Sequence, residues 1–364
     1  MKVLHVSTPM SWRGGEQQAA YLALALKEMK VAVSVMTPLH SALSVRMLED
    51  GISVINFKSR GILDLSLANK IAKVCKEQKF DVIHTHDSHA HSAAVLSAAV
   101  FGNNTPLVVS RRVDFAVSSN PFSIWKYNHA SIKKIVCVSE MIFKMTALSI
   151  NEKEKLTVVH SGINTTNYNF SLDRNLLKDE LNLSHEVILV GNLSALADHK
   201  DFPTFLKTAK ALVEEDERIH IVIGGSGAEE SMIRSFIREH QLESRIHLLG
   251  FRKDVVQVMK SLDVFLITSK TEGLGTIVLE AFAAEIPVVA TRAGGIPELV
   301  NDEVTGLLCE IGDVDGLKTT VKRILTDHEF KATLIHNAKI KVQDFSFQAT
   351  AKKTFQIYQE ILNR

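Results

Sequence analysis

Two carboxylates with seven residues between them, Glu272 and Glu280, bracket a loop that holds Gly273 and Gly275. The apolar run 263–268 before them reads as a buried strand. The apolar positions Ile277, Leu279, Ala281 and Phe282 after them follow a helical period. Strand, glycine loop and helix start in that order aim free amides, here those of Gly273, Leu274, Gly275 and Thr276, at an anion. Phosphate is the usual guest. Carboxylates repel phosphate, but as pure acceptors they suit sugar hydroxyls. A ligand with phosphate in its middle and hydroxyls at both ends is a nucleotide sugar.

A diphosphate needs more positive charge than one helix end supplies. Lys200 stands at the helix entrance of a second strand-loop-helix passage, 189–202, where capping alone favours an acidic residue. Phosphate explains that lysine better than capping does. Gly225, in Gly224-Gly-Ser-Gly227, marks a third such turn. Gly14 and Gly15 mark a fourth, opening a helix after the first strand with Glu16 behind them.

His84-Thr-His-Asp-Ser-His-Ala-His91 invites a metal assignment. The run crosses from a strand end into a helix, so its four rings are expected to point in different directions, unlike a closed zinc site. His86, with Asp87, is expected to face a ligand cleft instead, and the remaining histidines to be packed or solvated. Arg111 and Arg112 close another strand, where arginine suits phosphate or carboxylate. Asp313-Val-Asp315 resembles a metal-holding Asp-x-Asp, but it precedes a helix and reads as a cap. No metal is assigned. The segment 123–134 mixes aromatics with lysines, so contact with an anionic membrane surface is open to it, although a packed helix with a solvated edge explains it as well.

The elements that position these residues alternate. Strands are expected over 2–7, 31–37, 53–57, 82–85, 107–110, 134–139 and 156–160, with helices over 16–30, 41–49, 65–78, 90–101, 121–130 and 140–148 between them. After a polar break at 164–169 the alternation resumes. Strands follow over 186–191, 220–224, 246–249, 264–268 and 287–291, with helices over 202–214, 229–241, 253–262, 276–284 and 315–326. A last helix is expected over 345–364. Continuous apolar strands in this order imply an α/β chain of two Rossmann-like domains with parallel sheets. The first domain is expected over 1–165 plus 346–364, the second over 170–345, with the default ligand site in a cleft between them.

Composition agrees: 364 residues, 46% hydrophobic and 23% charged, with net charge +1, give a globular chain with no field for nucleic acid. The three cysteines, Cys75, Cys137 and Cys309, lack metal-ligand spacing and suit a reducing compartment. No signal-peptide core and no membrane-length apolar run is present, so a cytoplasmic location is expected, with peripheral contact at the inner membrane face allowed.

Glu272 to Glu280, with 281–300 and 305–308 after them, strongly resembles the retaining glycosyltransferases of family 4, which have the GT-B fold. Gly14-Gly15-Glu16, His160-Ser-Gly-Ile-Asn164 and Gly191-Asn-Leu193 extend the resemblance over nearly the whole chain. It implies two domains facing across a cleft, the second binding the nucleotide sugar, the first lying on the acceptor side, and a C-terminal helix crossing back to the first. It implies that Glu280 holds the donor ribose, and that Glu272 and the 273–276 amides contact the sugar and diphosphate. By the same resemblance, Lys200 neutralises phosphate and His86 lies near the transferred sugar. Glu16, Asp87, Arg111 and Arg112 are acceptor-side candidates. The resemblance further implies a UDP-sugar or GDP-mannose as co-substrate, without further cofactor or catalytic metal, and as acceptor a saccharide or lipid-linked saccharide of the bacterial cell envelope. Where the family commonly has arginine, this chain has Asn192, so part of the phosphate charge is expected to fall to His199, Arg111 or Arg112. No carboxylate stands as an obvious nucleophile, so a double displacement is not expected. A nucleotide-sugar epimerase of the same fold and a non-catalytic sugar-binding protein are the rivals. A nicotinamide dehydrogenase lacks its full glycine fingerprint here.

Overall fold

A computed structural model describes residues 1–58, 64–169 and 173–363. Phe170, where the second domain is expected to begin, and Arg364, the end of the expected last helix, lie outside the described residues. The chain divides into two compact units, Met1–Gly162 with Ser346–Arg364, and Ile163–Phe345.

Unit 1 contains β1 (Lys2–Val6), β2 (Ala32–Pro38), β3 (Ser53–Phe57), β4 (Val82–Thr85), β5 (Leu107–Arg111), β6 (Ile132–Cys137) and β7 (Leu156–Val158). They form one sheet in the order β3-β2-β1-β4-β5-β6-β7, and every pair is parallel. Strand order reverses between β1 and β4, and in open parallel sheets ligands bind beyond the carboxyl ends at such a reversal. Residues 7–16 and 86–91 therefore stand at the binding edge of this unit. Helix Phe347–Leu362 belongs to this unit, where Phe347, Ala351, Ile357 and Tyr358 join the core of Leu26, Val108 and Val136. Its start is tied down closely. A Cβ on Gly162 would lie 2.5 Å from the Ser346 carbonyl oxygen, and Thr350 Oγ1 donates to the His160 carbonyl at 2.9 Å.

Unit 2 contains β8 (Ile188–Leu193), β9 (Ile219–Gly224), β10 (Ile246–Gly250), β11 (Val264–Ile267), β12 (Val288–Thr291) and β13 (Leu307–Cys309). Their order is β10-β9-β8-β11-β12-β13, again all parallel. The reversal lies between β8 and β11, which puts 194–201 and 268–276 at its binding edge. Phe205, Leu206, Ile221, Val264 and Leu266 lie in its core, all 0% exposed.

The fold is thus α/β, with two parallel-sheet, Rossmann-like units. Several elements are absent from the sequence expectation, among them the short helices Leu176–Glu180 and Ile296–Leu299, strand β13 and helix His328–Lys341. β13 has three residues, too few to show a period. Helix His328–Lys341 buries only Leu334 and Ala338, a pair one turn apart, so its sequence carries almost no apolar stripe. Among the described residues no helix is long and apolar enough to cross a membrane.

Candidate functional site

In unit 2 the loop after β11 leads into helix Ile277–Ala283. Gly275 takes φ +82°, a left-handed value that glycine adopts without a Cβ clash. Among the described residues, the amides of Gly273, Leu274, Gly275 and Thr276 donate to no acceptor; internal donation resumes at Val278, whose N–H reaches Gly275 O at 2.9 Å. Four neighbouring donors are left for something outside the chain.

The carboxylates beside them are in different states. Glu272 is buried and pairs with Lys200, and the Ser269 hydroxyl donates to the same oxygen at 2.7 Å. The cation and the anion expected to serve separate parts of a ligand therefore neutralise each other in this structure. Glu280 accepts from the Tyr168 hydroxyl at 2.9 Å, and burial raises its pKa to about 6, opposed by that hydrogen bond.

Lys200 ends a 3-10 turn, Asp198–Lys200. Asp201 follows it and caps helix Phe202–Glu215 by accepting from Thr204 N, so the acidic cap does exist, one residue later. Asn192 turns its amide inward. Its Nδ2 donates to Leu266 O at 2.8 Å and its Oδ1 accepts from Ser194 Oγ at 2.7 Å. This side chain ties β8 to β11 and brings no charge to the loop. His199 stands in the same turn as Lys200, and its carbonyl accepts from Lys270 N at 2.8 Å. Gly225 has φ +140° and lies where a Cβ would come within 1.8 Å of Ser194 O. It keeps the β9 loop against the β8 loop.

In unit 1, Gly14 and Gly15 open helix Gly14–Glu28. Neither has positive φ, and a Cβ on either would meet nothing within 4 Å. The fold itself does not require glycine there. Glu16 accepts from Arg13 N at 2.9 Å, and burial raises its pKa. Asp87 caps helix Ser88–Phe101 through His89 N and Ala90 N, and also accepts from Thr8 N and Thr8 Oγ1, each at 2.7 Å. It thus clamps the loop after β1 to the loop after β4.

The expected scatter of the histidine rings is corrected in part. His89 is exposed and His91 packs edge-on against Tyr127 at 4.7 Å, but His84 and His86 converge with His5, which the sequence reading passed over. His5 and His84 are lateral partners on β1 and β4. Arg112 Nη1 lies 3.2 Å from His86 Nδ1. A guanidinium only donates, so Nδ1 accepts and the His86 proton sits on Nε2. That proton is donated to His5 Nδ1 at 2.8 Å, which leaves the His5 proton on Nε2, buried and without an acceptor. His84 joins Tyr358 OH at 2.5 Å and Ser110 Oγ at 2.8 Å. Burial lowers all three pKa values, His5 to about 3 and the others well below the usual range. Burial also brings Arg112 down to about 10.

Nitrogens of His5, His84 and His86 lie within 4.8 Å of one another, so among the described residues these have metal-ligating spacing. Every nitrogen except His5 Nε2 is already bonded, and a guanidinium touches the group. A chain of neutral hydrogen bonds fits that arrangement better than a second cation. His86 is buried with both ring nitrogens engaged. Asp313, by contrast, caps helix Val314–Thr326 through Gly316 N at 2.9 Å.

Sequence reasoning missed Tyr168, Ser269, Thr8, His5 and Tyr358. Only His5 left a signal, an imidazole among the apolar residues Val3, Leu4 and Val6 of the first strand.

Residues 12–167 match the model of Glycosyltransferase Family 4, and residues 173–341 match the model of Glycosyl transferases group 1. The N-acetyl-alpha-D-glucosaminyl L-malate synthase of Bacillus anthracis is 26% identical over 306 residues, 82% of this chain and 80% of that one. The UDP-Gal:alpha-D-GlcNAc-diphosphoundecaprenol alpha-1,3-galactosyltransferase of Escherichia coli is 24% identical over 77% of this chain and 75% of that one. Among solved structures, Anabaena HepE in complex with UDP-glucose superimposes with a TM-score of 0.87 at 21% identity, covering 100% of both chains.

Proposed function

The chain belongs to glycosyltransferase family 4, with a fold of GT-B type, and from that premise we propose that it moves a hexose from a UDP-sugar to an acceptor hydroxyl with retention of anomeric configuration. The observation that carries the proposal is the run of unpartnered amides at 273–276 between Glu272 and Glu280. In the proposed complex these amides receive the diphosphate, Glu280 accepts from the ribose hydroxyls, and Glu272 from the hexose.

Loss of the nucleotide puts negative charge on phosphate oxygen and positive charge on the sugar ring. Fixed amide dipoles stabilise the first without reorganising. Lys200 carries no net charge to the site while it pairs with Glu272, so its contribution depends on the donor dividing that pair. The developing charge is thus assigned to amides and lysine rather than to a metal. Asn192, tied to Leu266 and Ser194, has no role toward the diphosphate in this scheme. Both ring nitrogens of His86 are engaged, so no proton transfer is assigned to it in this scheme.

UDP is chosen over GDP-mannose because UDP appears in the names of the E. coli relative and the HepE complex. The diphosphoundecaprenol acceptor of that relative supports a lipid-linked saccharide of the bacterial envelope. Exposed Phe122 and Trp125, at 36% and 40%, support contact with the inner membrane face.

The test is incubation with UDP-hexoses and extracted envelope saccharides, followed by release of UDP and the anomeric proton coupling of the product. Retained configuration and loss of turnover in Glu280→Ala are expected. Inverted product contradicts the retaining assignment, and full activity of Glu280→Ala contradicts the ribose assignment.

A further inference from the structure

Unit 1 buries two cations that have no counter-ion. Arg111 and Lys126 are each 5% exposed, and among the described residues neither forms an ion pair. Both lie against the same ring, with the Arg111 guanidinium 5.5 Å and Lys126 Nζ 5.4 Å from the Tyr127 centroid. Their partners are neutral. Arg111 donates to Tyr127 OH and to the Phe115 carbonyl. Lys126 Nζ donates to Ser88 Oγ at 3.1 Å and Ser92 Oγ at 3.2 Å. Arg111 Nε finds no acceptor, and neither does a ring nitrogen of His91, which is 1% exposed beside Tyr127.

Burying a charge without an opposite charge costs several kcal/mol. The carboxylate acting on Lys126 is Asp87, whose oxygens already accept four hydrogen bonds, two from Thr8 and two from the first turn of helix Ser88–Phe101. Burial and the neighbouring Arg111 hold the Lys126 pKa down to about 8, a low value that an added anion would reverse. The cluster is within reach of solvent, because Ser88 is exposed and Phe115 is 63% exposed. It lies at the carboxyl end of β5, on the binding edge of the sheet.

We infer that the Arg111–Lys126–His91 cluster receives an anionic group, a phosphate or a carboxylate, carried by the acceptor. The word acceptor rests on the transferase reading; the anion site itself does not. A phosphate or carboxylate there supplies the missing negative charge and accepts from Arg111 Nε and Lys126 Nζ. The neutral His91 ring offers one further donor.

The experiment is calorimetric titration of the full chain. UDP is added first, to fill the donor site. Inorganic phosphate and malonate are then titrated separately into the UDP-loaded protein, with chloride at equal ionic strength as control. Tighter binding of one of the two anions identifies the group. Lys126→Met and Arg111→Met are each expected to weaken that binding at least about tenfold, while Lys126→Arg keeps it. Lys126→Met removes an unpaired buried charge, so its melting temperature should not fall, which separates lost binding from lost folding. Binding no better than chloride, or binding unchanged in both Met variants, overturns the inference. Failure of UDP in the first titration counts against the transferase reading alone.

Discussion

Gly14 and Gly15 show how a single position separates fold from function. Both sit in the first helical turn without positive φ and with open space where a Cβ would go. Alanine fits there and removes unfolded-state entropy, so Gly14→Ala or Gly15→Ala should leave stability unchanged or raise it by about 0.5 kcal/mol. If the glycines admit a ligand, the same substitutions should raise KM for the UDP-sugar by about tenfold or more. A thermal melt and a donor titration on each variant check both halves. Glu280 gives a second test. Its folded pKa is raised to about 6, so the folded protein takes the proton first and free carboxylate appears only as pH rises through that value. Accepting from ribose hydroxyls favours the ionised form. Donor kcat/KM should therefore fall as pH drops below about 6, and a pH profile of Glu280→Gln should lack that limb.

At the scale of elements, the loops were legible and their partnerships were not. The strand-loop-helix passages at 272–280 and 189–202 could be read from glycine, charge and period. Nothing local announces that Lys200 pairs with Glu272, 72 residues away, or that Asn192 spends its amide on β11. The histidines show the same limit. Convergence of His5 with His84 and His86 depends on β1 lying beside β4, and Tyr358 reaches His84 from the last helix, 274 residues away. Neutral burial of these rings has a measurable cost in acid. The folded pKa values of His5, His84, His86 and His91 lie below the ordinary value near 6.5. The unfolded chain therefore binds protons first, and the stability present above about 6.5 is lost as pH falls. Each such ring contributes about 1.4 kcal/mol per pH unit. Denaturant melts should show steep loss between about pH 6.5 and 5. His5→Asn or His84→Asn should flatten that slope even where it lowers stability at neutral pH.

At the scale of the whole molecule, two sheets with the same strand reversal present their loops in the same way. Unit 2 offers amides and two carboxylates. Unit 1 offers a clamped, neutral histidine edge and an uncompensated cationic cluster. The class of fold was legible because apolar strands alternate with helices along most of the chain. Helix His328–Lys341 was not legible, because it buries only Leu334 and Ala338 rather than a full stripe. The central claim is that the 273–276 amides receive a nucleoside diphosphate. Amide-resolved NMR of the 15N-labelled chain during titration with UDP tests it most directly. The amides of Gly273, Leu274, Gly275 and Thr276 should move together and saturate with the binding isotherm. Saturable UDP binding that leaves those four resonances in place would contradict the account.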